Sequence, residues 1–236
     1  CLKEGTPLSW VGDTYRSMFI ENYQLAALAY EKIPQKDPKN TELWWGLGTC
    51  YYTLGDLNKA YHYYHKVLKL DPGSEHTQDY LRLIQEQLLS QAVQENNFRQ
   101  AKGHYKLLKK LQPQTPPFAD MLRMLGSRLA EERPQTLENY HTALTIFTKA
   151  HELDQNDPAT LNLIADTYCS IAGMRTMLLQ EKEMAFTPQE YIELMSQARY
   201  FYASALQSDN FRSSPAGQES VRKLQAIYED LKQVSR

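Results

Sequence analysis

His62 and His65, three residues apart, are the nearest this sequence comes to a metal-binding pair, and no third ligand stands close to them. They read as solvated or partly packed histidines on one helix. Gly46-x-Gly48 has glycines spaced as in part of a nucleotide loop, yet it lies among Trp44, Trp45, Leu47 and Tyr51, on a helix face. Cys1, Cys50 and Cys169 give neither a zinc set nor an evident disulfide framework. Cys50 and Cys169 fall inside helical pattern and read as small buried apolar groups. His-Glu-x-x-His, Gly-x-Ser-x-Gly, phosphate-loop and paired Cys-x-x-Cys motifs do not occur. The lysines Lys106, Lys109 and Lys110 surround two leucines, as on an ordinary amphipathic helix. The expectation is a chain with no catalytic residues, no metal and no cofactor.

A chain without chemistry to perform is expected to bind, and a binding surface needs elements that present it. The chain has 236 residues, 42% of them hydrophobic, enough for a sizeable core. A formal net charge of -2 supplies no basic footprint, so nucleic acid is set aside as a partner. No apolar run approaches the roughly 18 residues of a membrane-crossing helix.

The organising stretch runs from Thr41 to Pro72. Trp44, Leu47, Gly48 and Tyr51 share one helical face, and Ala60, Tyr64, Val67 and Leu68 make a second. Between them, Gly55 can adopt the left-handed conformation that ends a helix and Asp56 can cap the next. Pro72 then closes the pair, since proline cannot continue a helix. Gly48 and Ala60 lack bulk where two backbones must approach, and the surrounding aromatic rings fill the space. The pattern Trp44-x2-Leu47-Gly48-x2-Tyr51, Ala60-x3-Tyr64 and Pro72 resembles the tetratricopeptide repeat, with Tyr for the family's usual Phe.

One period of about 34 residues earlier stand Trp10, Ala26, Tyr30, Ile33 and Pro38. Asp13, Thr14 and Ser17 depart from the repeat there, which suits an end cap, and Asn22-Tyr23 is expected to replace the Gly-Asp turn. Downstream the period stretches. A third unit has a lengthened first helix over Glu75 to Gln94, a turn at Asn96-Asn97, and Ala101, Tyr105 and Leu108 on its second helix. A fourth pairs Phe118 to Glu132 with the helix carrying Ala143, Phe147 and Ala150, and a fifth opens at Asp157-Pro158 and ends with Ala198, Tyr202 and Ala205. Within the fifth, residues 172–188 are an oily insertion holding Met174, Met177, Leu178, Leu179, Met184 and Phe186. It either extends the preceding helix or forms a docking surface. The resemblance thus implies an all-α, tetratricopeptide-type α-solenoid. It has about five helix pairs, in units 8–40, 41–74, 75–115, 116–155 and 156–212, and a capping helix over 215–236, all in one domain.

In that family the first helix of each pair lines the groove that binds partners. The matching positions here are Glu42, Trp45, Thr49 and Tyr52, with Thr53 beside them, and in the first unit Val11 and Tyr15, flanked by Leu8, Met18 and Phe19. Trp45 and Tyr52 are not needed for the repeat core and form a candidate hot spot for a peptide, a helix or a subunit of a larger complex. The clamp by which some members hold a chaperone's acidic C-terminus is missing, since Val11, Tyr15, Gly46, Leu83 and Gln87 occupy its places. Cys1 followed by Leu2 looks like the start of a mature bacterial lipoprotein, although a chain cut at that residue would begin the same way. With Leu2 rather than Asp, the expected location is the periplasmic face of the outer membrane, with Cys1 lipidated. The expected function is a scaffold that docks onto or helps assemble a secretin, pilus or secretion complex. Two alternatives stay open: a soluble cytoplasmic scaffold or secretion chaperone, and a glycan- or peptidoglycan-binding accessory protein that stacks sugars on Trp45 and Tyr52.

Overall fold

A computed structural model describes residues 8–32, 41–180 and 185–234, with side chains from residue 20 onward. Cys1, Pro38 and Met184 lie outside the described residues, as do the side chains of Leu8, Trp10, Val11, Asp13, Thr14, Tyr15, Ser17, Met18 and Phe19. Among the described residues every regular element is helical and no strand occurs.

The organising pair is α2 (Thr41–Thr53) and α3 (Leu57–Leu70). Gly55 takes φ +80, its N–H donates to Tyr52 O at 3.1 Å, and the Asp56 N–H donates to Tyr51 O at 2.9 Å. These two bonds form a Schellman stop and satisfy carbonyls the helix end would leave bare. Asp56 then starts α3 by accepting the Lys59 N–H at 3.0 Å. The helices meet where the sequence is smallest: a Cβ on Gly48 would lie 2.8 Å from the Tyr64 ring, and Ala60 and Tyr64 are wholly buried.

The same devices recur. Helix α4 (Glu75–Gln94) is long, as expected, and is followed by α5 (Phe98–Leu111). Asn96, at φ 56, closes α4 with the bond pattern that Gly55 makes, because Asn tolerates the left-handed region better than most residues. The fourth pair is α6 (Phe118–Glu131) and α7 (Leu137–Leu153). Here Gly126 takes the part of Gly48: an added Cβ would stand 2.6 Å from the Phe147 ring. Leu122, Leu125, Gly126 and Leu129 therefore repeat the spacing of Trp44, Leu47, Gly48 and Tyr51 in softened form. The fifth pair is α8 (Pro158–Gln180) and α9 (Pro188–Ala205), the latter begun by a Thr187–Glu190 capping box with Pro188 behind it. A four-residue helix α10 (Asp209–Arg212) precedes α11 (Pro215–Val234), the expected terminal helix.

The first unit differs from its expectation. Helix α1 (Leu8–Lys32) runs without a break through Asn22-Tyr23, where a turn was expected. Neither residue forces a stop: Asn and Tyr cost a helix only tenths of a kcal/mol, and Gln24, Leu25, Ala26 and Ala27 beyond them are good helix formers. The 34-residue register places a turn there that the local chemistry does not require.

The chain divides into two compact units, residues 1–89 with 103–114, and residues 90–102 with 115–236. The core of the first is built on Leu43, Trp44, Leu47, Tyr64, Val67, Leu81 and Ile84. In the second, Ala143, Phe147 and Ile164 form one cluster, and Ala165, Met195, Ala198, Tyr202 and Ile227 another. In the described part of the oily insertion, residues 172–180 continue α8 to Gln180, Phe186 is buried, and Met177 and Leu179 remain exposed.

Candidate partner-binding groove

Adjacent residues of one type diverge on α2. Trp44 is 3% exposed and Trp45 37%, because a step of about 100° around the helix turns one ring to the core and the other outward. Trp44 faces α3, stacked on Tyr63 with ring centroids 6.0 Å apart and with Lys66 Nζ 4.1 Å from its own centroid. Trp45 lies edge-on to Tyr64 at 6.2 Å and to Tyr80 of α4 at 6.0 Å. Tyr52, two turns along, meets Tyr80 edge-on at 5.3 Å, and its hydroxyl accepts a long hydrogen bond from Gln87 Nε2 at 3.5 Å. Thr49 sits between them. Its hydroxyl donates to the Trp45 carbonyl at 3.0 Å and lies 3.1 Å from the Tyr64 hydroxyl. Burial pushes the Tyr64 pKa up to about 12 against the opposing pull of the Thr49 hydrogen bond, so this phenol stays neutral.

The other wall comes from α1. Tyr51 donates to a Glu31 carboxylate oxygen, a bond that raises the Tyr51 pKa far above its ordinary value, with burial adding to it, and that fastens α1 to α2. Tyr30 lies directly on the α2 backbone, where a Cβ on Gly46 would come within 2.9 Å of its ring. A cavity of about 380 Å³ opens beside this contact, lined by Tyr23, Ala26 and Tyr30 of α1 and by Glu42, Trp45, Gly46, Thr49 and Cys50 of α2.

The structure thus brings three of the expected groove residues, Glu42, Trp45 and Thr49, to one cavity. Tyr52 is absent from its lining and packs on Tyr80 instead. Val11 and Tyr15 belong to α1, but their side chains lie outside the described residues. Sequence reasoning missed Tyr23, Tyr30 and Tyr80. The repeat register gives Tyr30 only as the counterpart of Tyr64, whereas Gly46 already stands at a groove position, the place of a clamp residue. A glycine directly following an exposed tryptophan was the available signal that a ring had to fit there.

A second polar cluster lies in the other unit. Asp166 of α8 accepts from Tyr202 of α9, from Lys223 of α11 at 2.5 Å, and from Asn162 at 3.0 Å. Asp166, Tyr202, Lys223 and Cys169 border a cavity of about 810 Å³. Burial raises the pKa of both Tyr202 and Cys169, so each keeps its proton and neither is primed as a nucleophile. The network ties α8, α9 and α11 together.

Residues 41–74 match the tetratricopeptide repeat family. No curated protein matches the chain. Among solved structures, it is similar to a monomeric mutant of IFIT1 with Gppp-AAAA, at 15% identity and a TM-score of 0.40, over 91% of this chain and 44% of that one. It is also similar to the TPR2AB-domain:pHSP90 complex of yeast Sti1, at 17% identity and a TM-score of 0.30, over 94% and 81% of the respective chains. A third is YrrB, a TPR protein with an unusual peptide-binding site, at 16% identity and a TM-score of 0.26, over 89% and 97%. The chain spans less than half the length of the IFIT1 chain. Residues 41–74 are therefore a tetratricopeptide repeat, set in an all-α chain of successive helix pairs.

Proposed function

We propose that this protein is a non-catalytic interaction scaffold whose N-terminal unit holds a peptide or helix of a partner protein against Trp45. The observation that carries the proposal is the exposure of Trp45 at the edge of a cavity, one residue from a tryptophan that is fully committed to the core. A large ring held by its neighbours yet open on one side is the kind of residue that concentrates binding energy. Tyr52 extends the same stripe toward α4 and offers a second contact along a bound segment. A subunit of a larger assembly as the partner is the most specific form of this proposal.

The experiment for the scaffold itself is an affinity capture from membranes and soluble extract of the native host, with wild type, Trp45→Ala and Trp44→Ala side by side. A partner retained by wild type and weakened about thirtyfold by Trp45→Ala, equivalent to about 2 kcal/mol, supports the groove. A partner held equally by wild type and Trp45→Ala removes it.

A further inference from the structure

Resting on the groove just described, we infer that its cavity is built to take a cation, and that the partner presents an arginine side chain to it. On the core side of the anchor pair, Lys59 Nζ lies 4.5 Å from the centroid of the Tyr51 ring, and Lys66 Nζ lies 4.1 Å from that of Trp44. Those rings are served by lysines of the chain itself. On the opposite side, Tyr30 and Trp45 border the cavity, and among the described residues no lysine or arginine lines it. The single charged side chain in the lining is Glu42, exposed, one helical turn before Trp45. The other nearby carboxylate, Glu31, already accepts the Tyr51 hydroxyl.

Rings whose faces carry negative charge density, together with one carboxylate, make a site complementary to a cation and hostile to an anion. Arginine fits better than lysine. Its planar guanidinium stacks on an aromatic face while its fork of N–H donors reaches a carboxylate and a phenol oxygen together, and it gives up its hydration more readily. Its methylenes would pack along Ala26 and the ring edges, since long charged side chains lay their stems on apolar surface. Gly46 has a place in this design: its missing side chain lets Tyr30 lie flush on α2, which forms the cavity wall.

The test uses the full chain and three capped heptapeptides of alanine whose central residue is arginine, citrulline or norleucine. Citrulline keeps the shape of arginine without its charge, and norleucine keeps only an apolar stem. Binding is followed by NMR through the Trp45 indole N–H signal, assigned by its disappearance in Trp45→Phe. The expected result is a saturable shift with the arginine peptide at a Kd at least about tenfold below that of either control, weakened by added salt. Glu42→Gln should abolish that preference; Glu42 is exposed, so the variant should fold normally. Equal affinity for the three peptides, tighter binding of norleucine, absence of any shift, or a preference that survives Glu42→Gln would each overturn the inference. The scaffold reading is decided separately by the affinity capture, which can keep its Trp45-dependent partner while the arginine preference fails.

Discussion

Trp44 and Trp45 put the division between core and surface at neighbouring positions, and their truncations should separate accordingly. Trp44→Ala removes a buried ring together with its stack on Tyr63, and should cost about 3 to 5 kcal/mol in chemical denaturation. Trp45→Ala gives up edge contacts to Tyr64 and Tyr80 but leaves no closed cavity, so its cost should be about 1 to 2 kcal/mol. Equal losses would place Trp45 in the core and end its candidacy as an anchor. The glycines divide as sharply. Gly48→Ala drives a Cβ to 2.8 Å from Tyr64, whose ring is wholly buried and stacked on Tyr80 at 5.0 Å, so it cannot swing aside. The expected loss is about 1 to 3 kcal/mol. At Gly103, inside α5, an added Cβ meets nothing within 4 Å, and Gly103→Ala should gain about 0.4 to 1 kcal/mol by restricting the unfolded chain. Thermal melts of the two variants moving in the same direction would show that close approach is not what keeps Gly48 small.

At the scale of the element, the start of α8 offers a pH-dependent test. Asp157 stands just before Pro158 and accepts the N–H of Ala159 and of Thr160, each at 3.1 Å, along with the Thr160 hydroxyl and Arg123 of α6. Burial by itself would raise its pKa, but the Thr160 hydrogen bond, the Arg123 charge and the two backbone donors outweigh it and hold the carboxyl below the ordinary 3.8. A carboxyl depressed in the folded state binds fewer protons there than in the unfolded chain. Its contribution is therefore complete above the unfolded value near 3.8 and is lost as pH falls through the lower folded value. Asp157→Asn keeps a capping oxygen and removes the charge, so wild type should be the more stable at pH 7 and the gap should close below about pH 4. A gap independent of pH would mean that the Arg123 pair contributes nothing through its charge.

For the molecule as a whole, helices and stops account for the described chain, and the far-UV circular dichroism spectrum should be helical with no resolvable sheet component. A substantial sheet signal would contradict the repeat assignment. Two units, each with its own cluster of buried side chains, carry different surfaces. The first presents an aromatic cavity with one carboxylate. In the second, a carboxylate, a lysine and a tyrosine are consumed by one another in tying three helices together. The first is accordingly where a partner is sought.

The residues by themselves determined the helices from α2 onward and the places where they stop. These depend on neighbours within a turn or two: the left-handed Gly55 and Asn96, the caps at Asp56 and Thr187, and Pro158 and Pro188 at first helical positions. The repeat in residues 41–74 was legible for the same reason, since its contacts join helices only a few residues apart in sequence. Where a period was carried from that repeat onto a stretch lacking its own turn chemistry, the inference failed, and α1 stays whole through Asn22-Tyr23. The cavity itself was not legible. Tyr30 comes to rest on Gly46 and Tyr80 beside Trp45 only through the packing of α1 and α4 on the two sides of α2. Nothing in the spacing of a helix says which ring of a neighbour will reach it. Local chemistry fixed which face of α2 turns outward, and tertiary packing decided what stands there to meet a partner.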